Sequence, residues 1–119
     1  MSNENFGFDY QRDADGIVTV TMDLAGPVNA MTDDFRAGLA LVVDKLEAER
    51  NLAGVVVASN KKTFFAGADL PQLVKAKPGE ESKWFEVVEQ QKQLLRRIEL
   101  LKAPVVAAIN GAALGGGLE

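Results

Sequence analysis

Pro104-Val105-Val106-Ala107-Ala108-Ile109-Asn110-Gly111-Ala112-Ala113-Leu114-Gly115-Gly116-Gly117-Leu118-Glu119 is the stretch that decides the fold class. Val105 to Ile109 is apolar and uncharged, as a strand of a parallel sheet covered on both faces should be. The glycine cluster behind it holds four of the chain's 11 glycines within residues 111–117. Such a cluster suits a strand-to-helix turn whose backbone comes close to something. An earlier segment repeats the arrangement. Gly54-Val55-Val56-Val57-Ala58 reads as a short strand buried on both faces, and Phe65-Ala66-Gly67-Ala68-Asp69-Leu70 follows as its glycine turn. Two apolar strands, each leading into such a turn and separated by a helix, give an α/β chain with parallel elements.

The helix between them opens at Ser82 and carries Trp84, Phe85, Val88, Leu94, Leu95, Ile98 and Leu101 on one broad face, until Ala103-Pro104 stops it. Asp69 is placed to cap a short helix whose first turn tolerates Pro71, and Lys77-Pro78-Gly79-Glu80 forms a loop. Further back, Thr32 stands before Asp33-Asp34, a hydroxyl cap followed by negative charge at the positive end of a helix dipole. Phe35, Leu39, Val42, Val43 and Leu46 continue that helix at the right spacing, and the pattern fades at Glu49-Arg50. At the start, Phe6, Phe8 and Tyr10 alternate with polar residues. Ile17, Val18, Val20 and Met22 follow across Asp13-Ala14-Asp15-Gly16, a β-hairpin pattern. Because the sequence stops at Glu119, directly after the glycine cluster, residues 1–119 read as the first part of a domain, incomplete at the C-terminus.

Composition narrows the chemistry. The 119 residues include no cysteine and no histidine. That excludes a disulfide framework, a thiolate nucleophile, a Ser-His-Asp triad and imidazole- or thiolate-ligated metals. Acid–base work falls to a carboxylate, a lysine or the single tyrosine. The net charge of −4 argues against a nucleic-acid partner. The acidic excess lies in residues 1–60, with 4 basic and 10 acidic side chains, whereas residues 61–119 hold 9 basic and 7 acidic. A phosphate-bearing ligand would meet the second half more readily. Met1 to Tyr10 lacks the basic and apolar regions of a signal peptide, and Ala103 to Leu118 is too short and too rich in Gly and Ala for a membrane span. A soluble, cytoplasmic protein is expected.

Glycine turns after apolar strands admit two physical readings. The backbone N–H groups of two neighbouring turns can converge on one oxygen as an oxyanion hole. The glycines can instead serve only tight strand–helix packing. A third reading takes Gly111, Gly115 and Gly117 as a dinucleotide-binding turn of a Rossmann-like oxidoreductase, although more than 100 residues precede it.

Thr63-Phe64-Phe65-Ala66-Gly67-Ala68-Asp69-Leu70 and Pro104 to Glu119 together closely resemble the enoyl-CoA hydratase/isomerase (crotonase) family. The wording of the second motif is most like the N-terminal hydratase/isomerase part of multifunctional fatty-acid oxidation complex alpha subunits. The resemblance runs the whole chain, with Gly26-Pro27-Val28-Asn29-Ala30-Met31 in the place of the first CoA-contacting loop. It implies the N-terminal part of a crotonase-type spiral of ββα units and the hydration or isomerisation of 2-enoyl-CoA in β-oxidation. It further implies oxyanion donors at Ala66 and Gly116, and Glu119 as the first of two catalytic glutamates. Asn29, Ala30, Ala66, Gly67, Ala68, Asp69, Gly115 and Gly116 would contact the acyl-CoA thioester. No cofactor beyond the coenzyme A of the substrate is implied, and no metal. The partners implied are further copies of the chain or a thiolase subunit of a β-oxidation complex. A non-catalytic CoA-binding or association fragment is the other reading of the isolated chain. The sequence departs from the family in having no basic residue just before Asn29-Ala30, where Ala25-Gly26-Pro27-Val28 stand.

The remaining charged groups have simpler explanations. Asp33-Asp34 and Glu80-Glu81 suit capping and solvation. Lys61-Lys62, just before the first glycine turn, either lies on the surface or meets CoA phosphates. Trp84 and Phe85 fit a helix core face or a subunit contact.

Overall fold

A computed structural model describes residues 5–119; the first four residues of the Met1–Tyr10 stretch lie outside it. The hairpin forms as its alternation predicts. Strands β1 (Phe8–Arg12) and β2 (Ile17–Met22) pair antiparallel, with Phe8 opposite Met22 and Arg12 opposite Val18. The Asp13 carboxylate accepts from the N–H groups of Asp15 and Ile17 and so holds the turn. Helix α1 (Asp33–Ala48) starts where Thr32 Oγ1 accepts the Phe35 N–H at 3.1 Å. Strand β3 (Gly54–Ser59), helices α2 (Leu70–Val74) and α3 (Glu81–Glu99), and strand β4 (Val105–Ala107) follow, and a 3₁₀ turn covers Gly115–Gly117. The sheet order is β1-β2-β3-β4, with β2, β3 and β4 parallel.

Helices α1 and α3 cover one face of this sheet. Val18, Val20 and Met22 of β2 and Val55 of β3 pack against Phe35, Leu39, Val42, Val43 and Leu46 of α1, and Leu94 of α3 joins the same core. Val18 and Val43 are fully buried, each contributing roughly 1.5–3 kcal/mol of transfer free energy. Across the sheet, Val56 and Ala58 are half-buried and Val106 is exposed. This corrects the expectation of two strands buried on both faces: β3 is covered on one face only, and all three residues of β4, at the edge of the sheet, are exposed. β4 is also shorter than the apolar run, although the Ala108 N–H still reaches the Val57 carbonyl at 2.8 Å.

Helix α3 differs from its expected outline at both ends. It starts one residue early, at Glu81, and stops at Glu99 instead of running to Ala103. Its buried stripe is narrower than the apolar pattern implied. Leu94 is buried and Leu95 and Ile98 lean on the core, whereas Phe85 and Val88 are exposed. Phe85 therefore does not belong to a core face. Arg97 fixes this helix to α1 by donating to both Asp44 and Glu47.

Candidate active site

Three backbone segments lie side by side beyond the strand ends. Residues 29–31 border residues 65–68 through a parallel bridge between Met31 and Ala68, and residues 65–68 border residues 112–114 through a second between Phe65 and Ala113. The bonds are the Met31 N–H to the Gly67 carbonyl at 2.9 Å, the Phe64 N–H to the Ala112 carbonyl at 2.9 Å, and the Leu114 N–H to the Phe65 carbonyl at 3.0 Å. The two glycine turns, over 40 residues apart in sequence, thus meet.

Their glycines fall into two groups. Gly67 has φ +88°, and a Cβ there would stand 2.8 Å from the Leu114 carbonyl oxygen. A Cβ on Gly117 would stand 2.6 Å from the Phe65 carbonyl oxygen, and one on Gly111 would overlap the Lys62 carbonyl. These three are required by close backbone packing. Gly116 is different: its Cβ position meets only the end of the Met31 side chain. Gly115, at φ +53°, is open apart from the Cα of Gly67.

Ala66 requires a correction. Its N–H donates to the Asn29 carbonyl at 2.8 Å, so it is not a free donor for an oxyanion. Among the described residues the Ala68 and Gly116 N–H groups have no backbone acceptor, and neither do those of Gly67 and Gly115. In a parallel bridge the neighbours of the central residue bond to the partner segment, and the central residue's own N–H points the other way. Ala68 therefore directs its N–H away from residues 29–31, to the side on which residues 112–116 lie.

Asn29, expected to touch the ligand, is fully buried and offers no open surface to one. Ala30 is half-buried, its carbonyl accepting the Thr32 N–H. Asp69 occupies the N-cap position of α2 with its carbonyl bonded to Gln72 and Leu73, but its carboxylate makes no capping bond. Lys61 is engaged within the chain, its ammonium 2.9 Å from Asp23 and 2.8 Å from the Gly26 carbonyl. A hydrogen bond from Asn60, followed by the Lys61 pairing, holds the Asp23 carboxyl below its ordinary range. Lys62 is exposed.

Glu119 is exposed and forms part of the wall of an apolar cavity of about 220 Å³, together with Met31, Leu95, Ile98, Gly116 and Leu118. Met31, at the end of the loop that resembles a CoA-contacting one, and Arg36, for which the sequence suggests no role, also belong to this region. Met31 lies over Gly116 and accepts the Gln91 amide on its sulfur at 2.8 Å. Arg36, buried on α1, donates to the Met31 carbonyl at 3.1 Å and pairs with Asp33. An arginine three residues after an acid on a helix looks like an ordinary surface pair, so the sequence carries no signal for this second bond.

Comparison with known proteins bears on what this arrangement is for. The model of the enoyl-CoA hydratase/isomerase family matches residues 12–119. The chain is 39% identical over 114 residues to a fatty acid oxidation complex subunit alpha of Shewanella frigidimarina, covering 94% of this chain and 16% of that protein. It is 36% identical over 107 residues to the corresponding subunit of Idiomarina loihiensis, covering 88% of this chain and 15% of that protein. Among solved structures, an enoyl-CoA hydratase of Thermoplasma volcanium superposes with a TM-score of 0.82 at 26% identity, covering 96% of this chain and 44% of that one. An enoyl-CoA hydratase of Bacillus anthracis superposes at 0.81 with 24% identity, covering 93% and 42%, a likeness of fold. The chain spans about a sixth of the length of the curated relatives it matches.

Proposed function

The chain belongs to the enoyl-CoA hydratase/isomerase family, and from that premise we propose that it supplies the oxyanion site and the first catalytic carboxylate for hydrating 2-enoyl-CoA thioesters in fatty-acid oxidation. The observation that carries this reading is the convergence of the two glycine turns, with the N–H groups of Ala68 and Gly116 left without backbone acceptors. Ala68 replaces Ala66 as the first donor, and Gly116 keeps its role.

The chemistry asks for this set of groups. Water adds to C3 of the enoyl thioester as a carboxylate removes its proton, and the C2–C3 π electrons move toward the thioester oxygen. The resulting enolate oxygen is stabilised by two preorganised N–H donors, until C2 is protonated and the saturated hydroxyacyl thioester forms. Glu119, three residues after Gly116, is the carboxylate assigned to the water, and a second glutamate outside this sequence is assigned to the proton at C2. A shift of the double bond uses the same enolate with proton transfer alone. Residues 1–119 are then the N-terminal part of one crotonase-type domain, a reading supported by the 42–44% of solved hydratases that the chain covers. Coenzyme A enters as part of the substrate. Self-association or a thiolase-containing complex in the cytoplasm fits the fatty-acid oxidation relatives.

The test is turnover of 2-enoyl-CoA by the complete protein, followed as loss of the conjugated thioester absorbance. Hydration supports the reading. Binding of acyl-CoA with no turnover would favour a non-catalytic CoA-binding role, and NAD binding without acyl-CoA binding would overturn the proposal.

A further inference from the structure

Asn29 is the most completely bonded polar side chain near the two turns, and its bonds converge on one of them. Its Oδ1 accepts the Leu24 N–H at 3.0 Å. Its Nδ2 donates to Ser59 Oγ at 2.9 Å and lies 3.3 Å from the Phe64 carbonyl and 3.4 Å from the Met22 carbonyl. Ser59 in turn donates to the Thr63 carbonyl at 2.7 Å and accepts the Lys61 N–H at 3.0 Å. One buried amide thus ties the end of β2, the end of β3 and the segment leading into the first glycine turn. Its own carbonyl accepts the Ala66 N–H, and two residues later the Met31 N–H donates to the Gly67 carbonyl.

We infer that Asn29 is a positioning residue for the oxyanion site, locking the Ala66–Ala68 turn in the orientation that leaves the Ala68 N–H free. This inference rests on the oxyanion reading above. The physical case is that a turn with a φ +88° glycine at its centre has alternative orientations of its peptide planes. Bonding the Ala66 N–H and the Gly67 carbonyl to residues 29 and 31 leaves one orientation for the next peptide. That orientation holds only if residues 29–31 are themselves fixed. The Asn29 amide fixes their start, and Arg36, on the Met31 carbonyl, fixes their end. A buried polar group with its bonding capacity filled is rigid, because every alternative leaves an unpaired group away from water. An aspartate would keep the shape but lose both donors and bury a charge. A serine would retain one short donor that cannot span the same three segments.

The experiment compares the complete protein with Asn29→Ser and Ser59→Ala, using the infrared carbonyl stretch of a bound saturated acyl-CoA together with kcat and KM for a 2-enoyl-CoA. In the unaltered protein the thioester carbonyl band should move to lower wavenumber on binding, since two N–H donors polarise it. Asn29→Ser should lose at least half of that displacement and about tenfold to a hundredfold in kcat, approaching the loss of one oxyanion donor, with KM changed less than about threefold. Ser59→Ala removes one partner of the amide and should show a smaller change in the same direction. A folded Asn29→Ser protein with the full band displacement and unaltered kcat would overturn the inference. If Asn29→Ser does not fold, Ser59→Ala decides: a reduced displacement supports the inference and an unaltered one overturns it. Absence of any displacement in the unaltered protein would overturn the oxyanion reading itself, and the positioning role with it.

Discussion

Gly67 lies directly against Leu114, so close that a Cβ at position 67 would stand 2.8 Å from the Leu114 carbonyl oxygen. The contact joins two turns that belong to different strands. It makes the first glycine turn sensitive to any side chain. Gly67→Ala places a Cβ into that carbonyl and forces φ +88° on a residue that disfavours it. A loss on the order of 2 kcal/mol or more is expected, measured by chemical denaturation, with turnover lost as the turns separate. A denaturation midpoint equal to that of the parent would show that the contact is not as tight as described.

Gly116 and Gly117 are neighbours with opposite expected tolerance. At position 117 a Cβ meets the Phe65 backbone, which cannot yield without breaking the Leu114–Phe65 bond. At position 116 it meets the flexible end of Met31. Gly117→Ala should therefore lower the melting temperature by several degrees, the equivalent of about 1–3 kcal/mol, and Gly116→Ala should leave it nearly unchanged while weakening acyl-CoA binding through the displaced Met31. Equal melting temperatures for the two variants would contradict the assignment of their surroundings.

Glu119→Gln keeps the size of an exposed side chain and removes its capacity to take a proton. Folding and acyl-CoA binding should persist, with kcat for hydration down by roughly 10²–10⁴-fold. Near-normal kcat in the complete protein would remove Glu119 from the mechanism.

The Tyr10–Glu49–Arg12 cluster gives stability a defined pH dependence. The Tyr10 hydroxyl and the Arg12 guanidinium both donate to Glu49 at 2.6 Å, tying β1 to the end of α1. These bonds, that from Tyr10 first, hold the Glu49 carboxyl below its ordinary 4.5. Burial and the same bond raise the Tyr10 phenol above its ordinary 10.0. A lowered carboxyl stabilises the fold above pH 4.5 and loses that contribution as pH falls through the folded value. A raised phenol stabilises it below pH 10 and loses that contribution as pH rises further. The melting temperature should thus fall on both sides of a neutral plateau, and Glu49→Gln should flatten the acid limb and lessen the alkaline one, which the burial of Tyr10 still sustains. Unchanged limbs in that variant would place the pH dependence elsewhere.

The sequence by itself determined the order of elements and the chemistry available. The alternation from Phe8 to Met22, the Thr32 cap, the helical spacing from Phe35 to Leu46 and the two glycine turns are local periodicities and local backbone preferences. They are written in neighbouring residues. The absence of histidine and cysteine left carboxylates, lysines and the single tyrosine as acid–base groups, and the paired motifs pointed to the family. Tertiary structure decided which donors are free and which faces are covered. Whether Ala66 or Ala68 keeps an unpartnered N–H depends on the Asn29 carbonyl, 37 residues earlier, arriving beside the turn. Asn29, expected at the ligand, is buried because its hydrogen-bond partners lie on three segments that meet only in the fold. In the same way, Phe85 and Val88 look like core residues from their composition, but only one stripe of α3 meets α1 and the sheet. A residue's hydrogen-bond partner and its covering neighbour are properties of segments distant in sequence, and no local pattern encodes them.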